Sequence, residues 1–276
     1  MTLRTRTLAV LGAVVAALAI PAAASATTLI GSGSSAEQTI LSALFTAYKK
    51  VKPSVNFVYT ADGGNSGAKD VQDGRSQFAV NTRAPLATDS GLTYNKIFKD
   101  GLCVAVNPAN KLTNVTTTQL ADIFLGDFTS WSQLPGSGLS STIAPFGRSS
   151  TAGSYTFFQS AILKGATQAS NVAQESKDGD VAVAVKGNSA GIGYVGLSHS
   201  GTGSGVKKLT INGEACAPAQ IKSGAYLLNR YIWFVLPNKH QSKAAVAFVK
   251  WVRTKAAAKV INHSGAVATY YDKNIK

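Results

Sequence analysis

Two loops in this chain carry the residue types needed to hold an anion. Gly31-Ser32-Gly33-Ser34-Ser35 and Arg148-Ser149-Ser150-Thr151-Ala152-Gly153-Ser154 each run directly into an apolar-patterned, helix-like segment. Glycine lets the backbone approach a ligand closely, and hydroxyls donate hydrogen bonds. A helix start adds unpaired N–H groups and the positive end of its dipole. The second loop also carries a guanidinium, Arg148. Glycine-serine loops also serve as plain helix caps, so neither loop alone establishes a ligand site.

Other residue groups point to chemistry less strongly. Gly187-Asn188-Ser189-Ala190-Gly191 matches the Gly-x-Ser-x-Gly turn of serine hydrolases. That turn must join a strand to a helix, whereas Ile192-Gly193-Tyr194-Val195 resumes as a strand. His199, His240 and His263 have no supporting pattern and read as exposed side chains. Asp178 and Asp180 read as a solvated loop, the alternative being an approach to the ligand, and Trp131 and Tyr194 read as packing residues. Cys103 and Cys216 stand without a histidine or cysteine cluster, so no metal site is expected, and no cofactor either. In an exported chain two such cysteines most simply form one disulfide. The long loop that it closes would stabilise the fold by roughly 4 to 5 kcal/mol.

Export is itself legible. Arg4 and Arg6 precede an apolar run from Leu8 to Ile20, and Ala24-Ser25-Ala26 forms a small-residue cleavage site, so residues 1–26 read as a secretion signal. No cysteine follows that site to carry a lipid. Removing a leader with two arginines and no acid lowers the formal charge from +14 to +12. Such a chain attracts anions of any size, and a secreted polyanion binder is one alternative. The cations are scattered, however, without a basic run interleaved with aromatics, and no nucleic-acid partner is expected.

The elements that must position the two loops alternate. Ile40, Leu41, Leu44, Phe45 and Tyr48 recur at helical spacing and predict a helix over 36–51. Val55, Phe57 and Tyr59 predict a strand that ends at Asp62-Gly63-Gly64, with a helix from about Ser66 and a strand over 78–80. Strands over 102–106 and 143–146, a helix over 118–124, and a helix faced by Tyr155, Phe158 and Ile162 follow. Ile232-Trp233-Phe234-Val235 reads as a strand. Ala245, Phe248, Val249 and Val252 predict one long final helix stopped near Gly265. This alternation argues an α/β protein whose sheets are covered by helices.

The motifs resemble those of the phosphate-binding proteins that feed ABC importers. They run in order: Gly31-Ser-Gly-Ser-Ser35, Gly63-Gly-Asn-Ser-Gly67, Leu120-Ala-Asp-Ile-Phe-Leu-Gly126 with Trp131, Arg148 with Gly153-Ser154, Gly191-Ile-Gly-Tyr-Val195 and Ser223-Gly-Ala-Tyr226. The resemblance implies a two-lobed type II periplasmic-binding-protein fold with two crossover strands, near 103–107 and 231–236. Lobe one would be 27–104 plus 235–276, and lobe two 105–234, with Cys103 and Cys216 near the hinge. It implies a periplasmic or secreted monomer, not an enzyme. Such a protein holds phosphate or a related oxyanion between its lobes and delivers it to an ABC importer permease. A sensor of the same anion is the nearer alternative.

The resemblance also implies a ligand set. Ser35 and the backbone near Ala36 would donate from the first loop, with Ser34 adjacent, and Asn65 and Ser66 from the second motif. From lobe two, Arg148 would give a two-pronged fork, and Ala152, Gly153 and Ser154 backbone N–H groups, with the Ser154 hydroxyl. Thr82-Arg83-Ala84-Pro85-Leu86 stands where family members place an acidic residue that accepts a hydrogen bond from a protonated phosphate oxygen. Arg83 cannot accept a hydrogen bond, so it either adds a second cation or points away.

Overall fold

The computed structural model describes residues 26–269, so the leader assigned to 1–26 falls outside them except for Ala26. The described chain opens with β1 (Thr27–Gly33), α1 (Gln38–Val51), β2 (Val55–Thr60), α2 (Gly64–Gln72) and β3 (Phe78–Asn81). β1 pairs in parallel with β2 on one side and β3 on the other. The 15-residue β4 (Leu92–Val106) leads onward. Next come β5 (Asn114–Val115), α3 (Thr117–Leu125), β6 (Ala144–Arg148), α4 (Gly153–Ala161), β7 (Ala173–Glu175), α5 (Asp178–Gly187) and β8 (Gly191–Gly196). The chain closes with β9 (Lys207–Lys208), β10 (Thr210–Ile211), α6 (Pro218–Ser223), β11 (Asn229–Pro237), α7 (Lys243–Val252), α8 (Lys255–His263) and β12 (Val267–Ala268).

β4 serves two sheets. Its first part, Leu92–Gly101, pairs antiparallel with β11, and its last part, Leu102–Val106, pairs antiparallel with β8. The strand order β2-β1-β3-β11-β4-β8-β6-β7 therefore sets one lobe on each side of this strand. Each lobe has its own core. Phe78, Phe98, Phe234 and Phe248 centre one, and Phe124, Trp131, Phe158 and Tyr194 the other. This is the two-lobed α/β fold, with Trp131 and Tyr194 as fully buried packing residues.

The crossings fall earlier than expected. β4 changes partner between Gly101 and Leu102, and the Leu102 N–H donates to the Leu228 carbonyl at 2.9 Å, where the chain returns. All of β11 then pairs in the first lobe's sheet, and Ile232 and Phe234 pack in that lobe's core. An apolar strand signal cannot say which of two sheets will receive the strand, so the return sits near 229 rather than 235.

The final helix is two helices. α7 ends at Val252, and Thr254 starts α8 by accepting from the Ala257 N–H through its side chain. The apolar stripe continues across this break, which hides it from a periodicity reading. Cys103 on β4 joins Cys216, ahead of α6, in a disulfide with a sequence separation of 113. It ties the shared strand to the segment that returns to the first lobe. On the loop-entropy account, the Cys103→Ser/Cys216→Ser variant should lose about 4 kcal/mol of unfolding free energy. Urea unfolding checks this, and an unshifted midpoint would contradict it.

Candidate functional site: the cleft between the lobes

The two anion-type loops meet. β1 ends in a turn whose Ser34 N–H is taken by the Val80 carbonyl at 2.8 Å, which leaves Ser35 and Ala36 at the entry to α1. From the other lobe β6 delivers Arg148 at its last position. Arg148 Nη1 donates to Ser35 Oγ at 3.1 Å and pairs with the Asp178 carboxylate. The Asp178 N–H also donates to Ser35 Oγ, at 3.2 Å. Arg148, Ser35 and Asp178 are all buried. The remaining Arg148 donors hold it in place, with Nε on the Glu175 carbonyl at 3.0 Å and Nη2 on the Ser176 carbonyl at 2.7 Å. Its backbone N–H donates to the buried Tyr194 hydroxyl at 3.0 Å.

Glycines let the lobes touch beside this contact. Gly63 has φ +110°, and a Cβ there would lie 2.5 Å from the Thr151 carbonyl oxygen. At Gly153, the first residue of α4, a Cβ would lie 2.3 Å from Asn81 Oδ1 and 2.7 Å from Thr82 Oγ1. Only a residue without a side chain allows either approach. Thr82 Oγ1 is buried there without a hydrogen-bond partner. Ser154, in the first turn of α4, accepts from Arg230 Nη1 at 3.0 Å.

Several expected donors are committed elsewhere. Asn65 clasps the second lobe. Its N–H donates to the Thr151 carbonyl at 3.0 Å, and its amide donates to the Ser150 carbonyl at 2.8 Å and Thr156 Oγ1 at 2.9 Å. Ser66 follows it, half-buried, in the first turn of α2. The Ala152 N–H, expected to face an anion, instead donates to the Ser149 carbonyl at 3.0 Å, because Ala152 caps α4 at the end of a tight turn.

Of the two alternatives for Arg83, the contacts it makes are those of a side chain turned to protein partners. Nη1 and Nη2 grip both oxygens of Asp89 at 2.6 and 3.0 Å, and Nε donates to Asn65 Oδ1 at 2.6 Å. An ion pair six residues away in sequence occupies the guanidinium, as Asp178 occupies that of Arg148. A second arginine buried where the lobes meet is Arg230, on β11. Asp178 is corrected, since it is a buried partner of Arg148 rather than a solvated loop residue.

Around Arg230 lie two more residues that no motif marked. Its Nη2 is 3.3 Å from Asp100 Oδ2 and 3.7 Å from Glu37 Oε1, and all three side chains are buried. Burial, and next the charge of Asp100, push the Glu37 carboxyl well above its ordinary range. Burial also raises Asp100. A signal for Arg230 was present in the strand, because it shares the inward face of β11 with Ile232 and Phe234. An arginine in period-two register with buried apolar residues must have a buried partner.

The hydrolase reading fails on topology. α5 ends at Gly187 and β8 starts at Gly191, so the Ser189 segment joins helix to strand, the reverse of a nucleophile turn. Among the described residues no helix is long and apolar enough to cross a membrane, and no group of three or more potential ligands could hold a metal.

A two-lobed α/β body on a shared strand, with helix starts and a guanidinium meeting in the seam, is the architecture of a type II periplasmic-binding-protein fold. The chain belongs to the PBP superfamily, whose domain profile matches residues 20–255. It is 24% identical over 247 residues to the phosphate-binding protein PstS of Borreliella burgdorferi, covering 84% of this chain and 87% of the relative. Over a shorter stretch of 104 residues, 37% of this chain and 35% of the relative, it is 33% identical to PstS 2 of Streptococcus pneumoniae. A Clostridium perfringens protein crystallised with bound phosphate superposes with a TM-score of 0.82 at 20% identity, covering 88% of this chain and 99% of that one. An ABC-type phosphate transport receptor from Vibrio cholerae superposes at 0.71 with 21% identity, covering 87% and 99%.

Arg83 and Asp89 are each 6% exposed, so breaking the pair leaves a charge buried alone. Arg83→Gln should therefore cost about 3 kcal/mol in urea unfolding. It should change oxyanion affinity less than threefold. A large affinity loss without destabilisation would return Arg83 to the site.

Proposed function

We propose that this chain captures inorganic phosphate between its lobes outside the cytoplasm and presents it to the permease of an ABC importer. The observation that carries the reading is the direct contact of Arg148 with Ser35 across the lobes. Each belongs to a loop of anion-binding type, and they converge beside the N-terminal turns of two helices. Burying a multiply charged tetrahedral anion requires many directed donors in place of water. The candidates are Ser35 and the Ala36 backbone from lobe one, the free Thr82 hydroxyl, and Arg148, the Gly153 N–H and Ser154 from lobe two. The guest competes with Ser35 and Asp178 for Arg148, and exchange of those contacts couples occupancy to the closed arrangement.

Asp178 supplies what the Thr82-Arg83 segment lacks. The Asp178 carboxylate accepts from Ser35 Oγ at 3.4 Å and pairs with Arg148, and hydrogen phosphate has a proton to offer such an acceptor where sulfate has none. Phosphate is thus the favoured guest. We read the protein as a binder with no catalytic step, held in a periplasm or secreted and acting as a monomer. Similarity to proteins named for binding phosphate supports the ligand, and likeness to an ABC-type phosphate transport receptor supports the importer partner.

Calorimetry on phosphate-stripped protein tests this with phosphate, sulfate and molybdate. Micromolar or tighter phosphate binding corresponds to about 8 kcal/mol. Arg148→Gln should weaken phosphate at least tenfold, since charge-assisted hydrogen bonds contribute roughly 1.5 to 3 kcal/mol each. Asp178→Asn should narrow the preference for phosphate over sulfate. No heat with any of the three anions sinks the proposal. Polyanion binding that falls steeply with salt, in place of a small-anion response, would favour the polyanion reading.

A further inference from the structure

The seam holds more ionisable groups than an anion site of one arginine needs, and their count is uneven. Arg148 is matched by Asp178, but Arg230 faces both Asp100 and Glu37. All five are buried where the lobes meet. We propose that Arg230 is the second cation to meet the bound oxyanion, and that the closed cleft keeps one proton on the Glu37–Asp100 pair. This rests on the oxyanion reading of the cleft given above.

Arg230 is placed for the first role. It leaves the inward face of β11 in lobe one and reaches Ser154 in lobe two. Ser154 lies in the first turn of α4 next to Gly153, which abuts the unpartnered Thr82 hydroxyl. Arg230 Nε is also buried with no hydrogen-bond partner. Two unmatched polar groups on opposite sides of one helix start are costly to bury, and a shared acceptor is the economical way to satisfy them. A tetrahedral oxyanion at Ser154 is such an acceptor, and Arg230 Nη1 already reaches the Ser154 hydroxyl.

Charge balance gives the second role. With both carboxyls ionised, the five groups sum to one surplus negative charge in a water-poor space built to receive an anion. One proton removes it. Both Glu37 oxygens and Asp100 Oδ1 lack a donor from the protein, and a proton on the pair would supply one. The other groups facing the pair are Asp178, whose charge also raises Glu37, and the phenols of Tyr59 and Tyr226. His199 lies nearby with Nε2 3.4 Å from the Ser35 carbonyl. The raised acid in the closed, folded protein binds more protons than the hydrated one. Closure and folding are therefore favoured at low pH and weaken as pH climbs out of the ordinary carboxylate range.

Calorimetry in buffers of different ionisation enthalpy, at matched pH near 6.5, counts protons taken up per phosphate bound. Phosphate's own ionisation is common to all variants, so the wild type should take up close to one proton more than Glu37→Gln. Equal counts overturn proton uptake on closure, and the melting comparison below then decides whether the pair already holds the proton before phosphate arrives. The charge-balanced Arg230→Gln/Asp100→Asn variant should bind phosphate roughly ten- to a hundredfold more weakly. Binding within twofold of wild type, by protein with native melting, overturns Arg230's role. Should that variant not fold, Arg230→Gln/Glu37→Gln, charge-balanced at the other carboxyl, carries the same test with the same two outcomes. A ligand-free reading separates this inference from the phosphate proposal. The melting temperature of the wild type, relative to Glu37→Gln, should fall between pH 5 and 8. A flat difference overturns the proton claim whether or not phosphate binds.

Discussion

The contact of Arg148 with Ser35 and Asp178 is the interaction on which the architecture turns, because it places a full positive charge inside the seam between two lobes. A guanidinium so buried is tolerable only if each of its nitrogens has a partner. Here two backbone carbonyls, a hydroxyl and a carboxylate supply them. The same set makes Arg148 rigid. A guest must then fit a fixed fork rather than a flexible side chain, and directed donors on a fixed frame are what separate one small anion from another.

The frame follows from one strand. Because β4 belongs to both sheets, neither lobe can drift along it, and motion between them is confined to its middle and to the neighbouring return at Leu228. The Cys103–Cys216 link lies at this same place. On either side, parallel strands direct their carboxyl ends, and the helix starts that follow them, at the seam. That is where ligands of open α/β sheets are held. The close approach at Gly63 and Gly153 is what brings these starts within reach of one another.

Electrostatics in the seam is a balance rather than an excess. The chain is strongly basic overall, yet the buried groups at the contact are two arginines against three carboxyls. Surface charge draws anions toward the protein through water, whereas selection occurs among paired charges where water is scarce. These are separate tasks, and composition reports only the first.

Much of the fold was legible because it rests on local periodicity. The α1 stripe of Ile40, Leu41, Leu44 and Tyr48, the alternation in β2 and the apolar β8 each follow from side-chain spacing within a few residues. Arg148 and Ser35 were legible as well, since glycine-rich turns into helices have a local chemical reason. The commitment of Arg83 to Asp89, the place of Asp178 beside Arg148, and the triad of Glu37, Asp100 and Arg230 were not. Those pairings join residues up to 193 positions apart, as Arg230 to Glu37 shows. Residue type and spacing thus determined an α/β chain with anion-type loops, while only the packed structure decided which charges face one another. Burial makes that choice, since a charge out of water must take whichever partner the fold brings within a few ångströms.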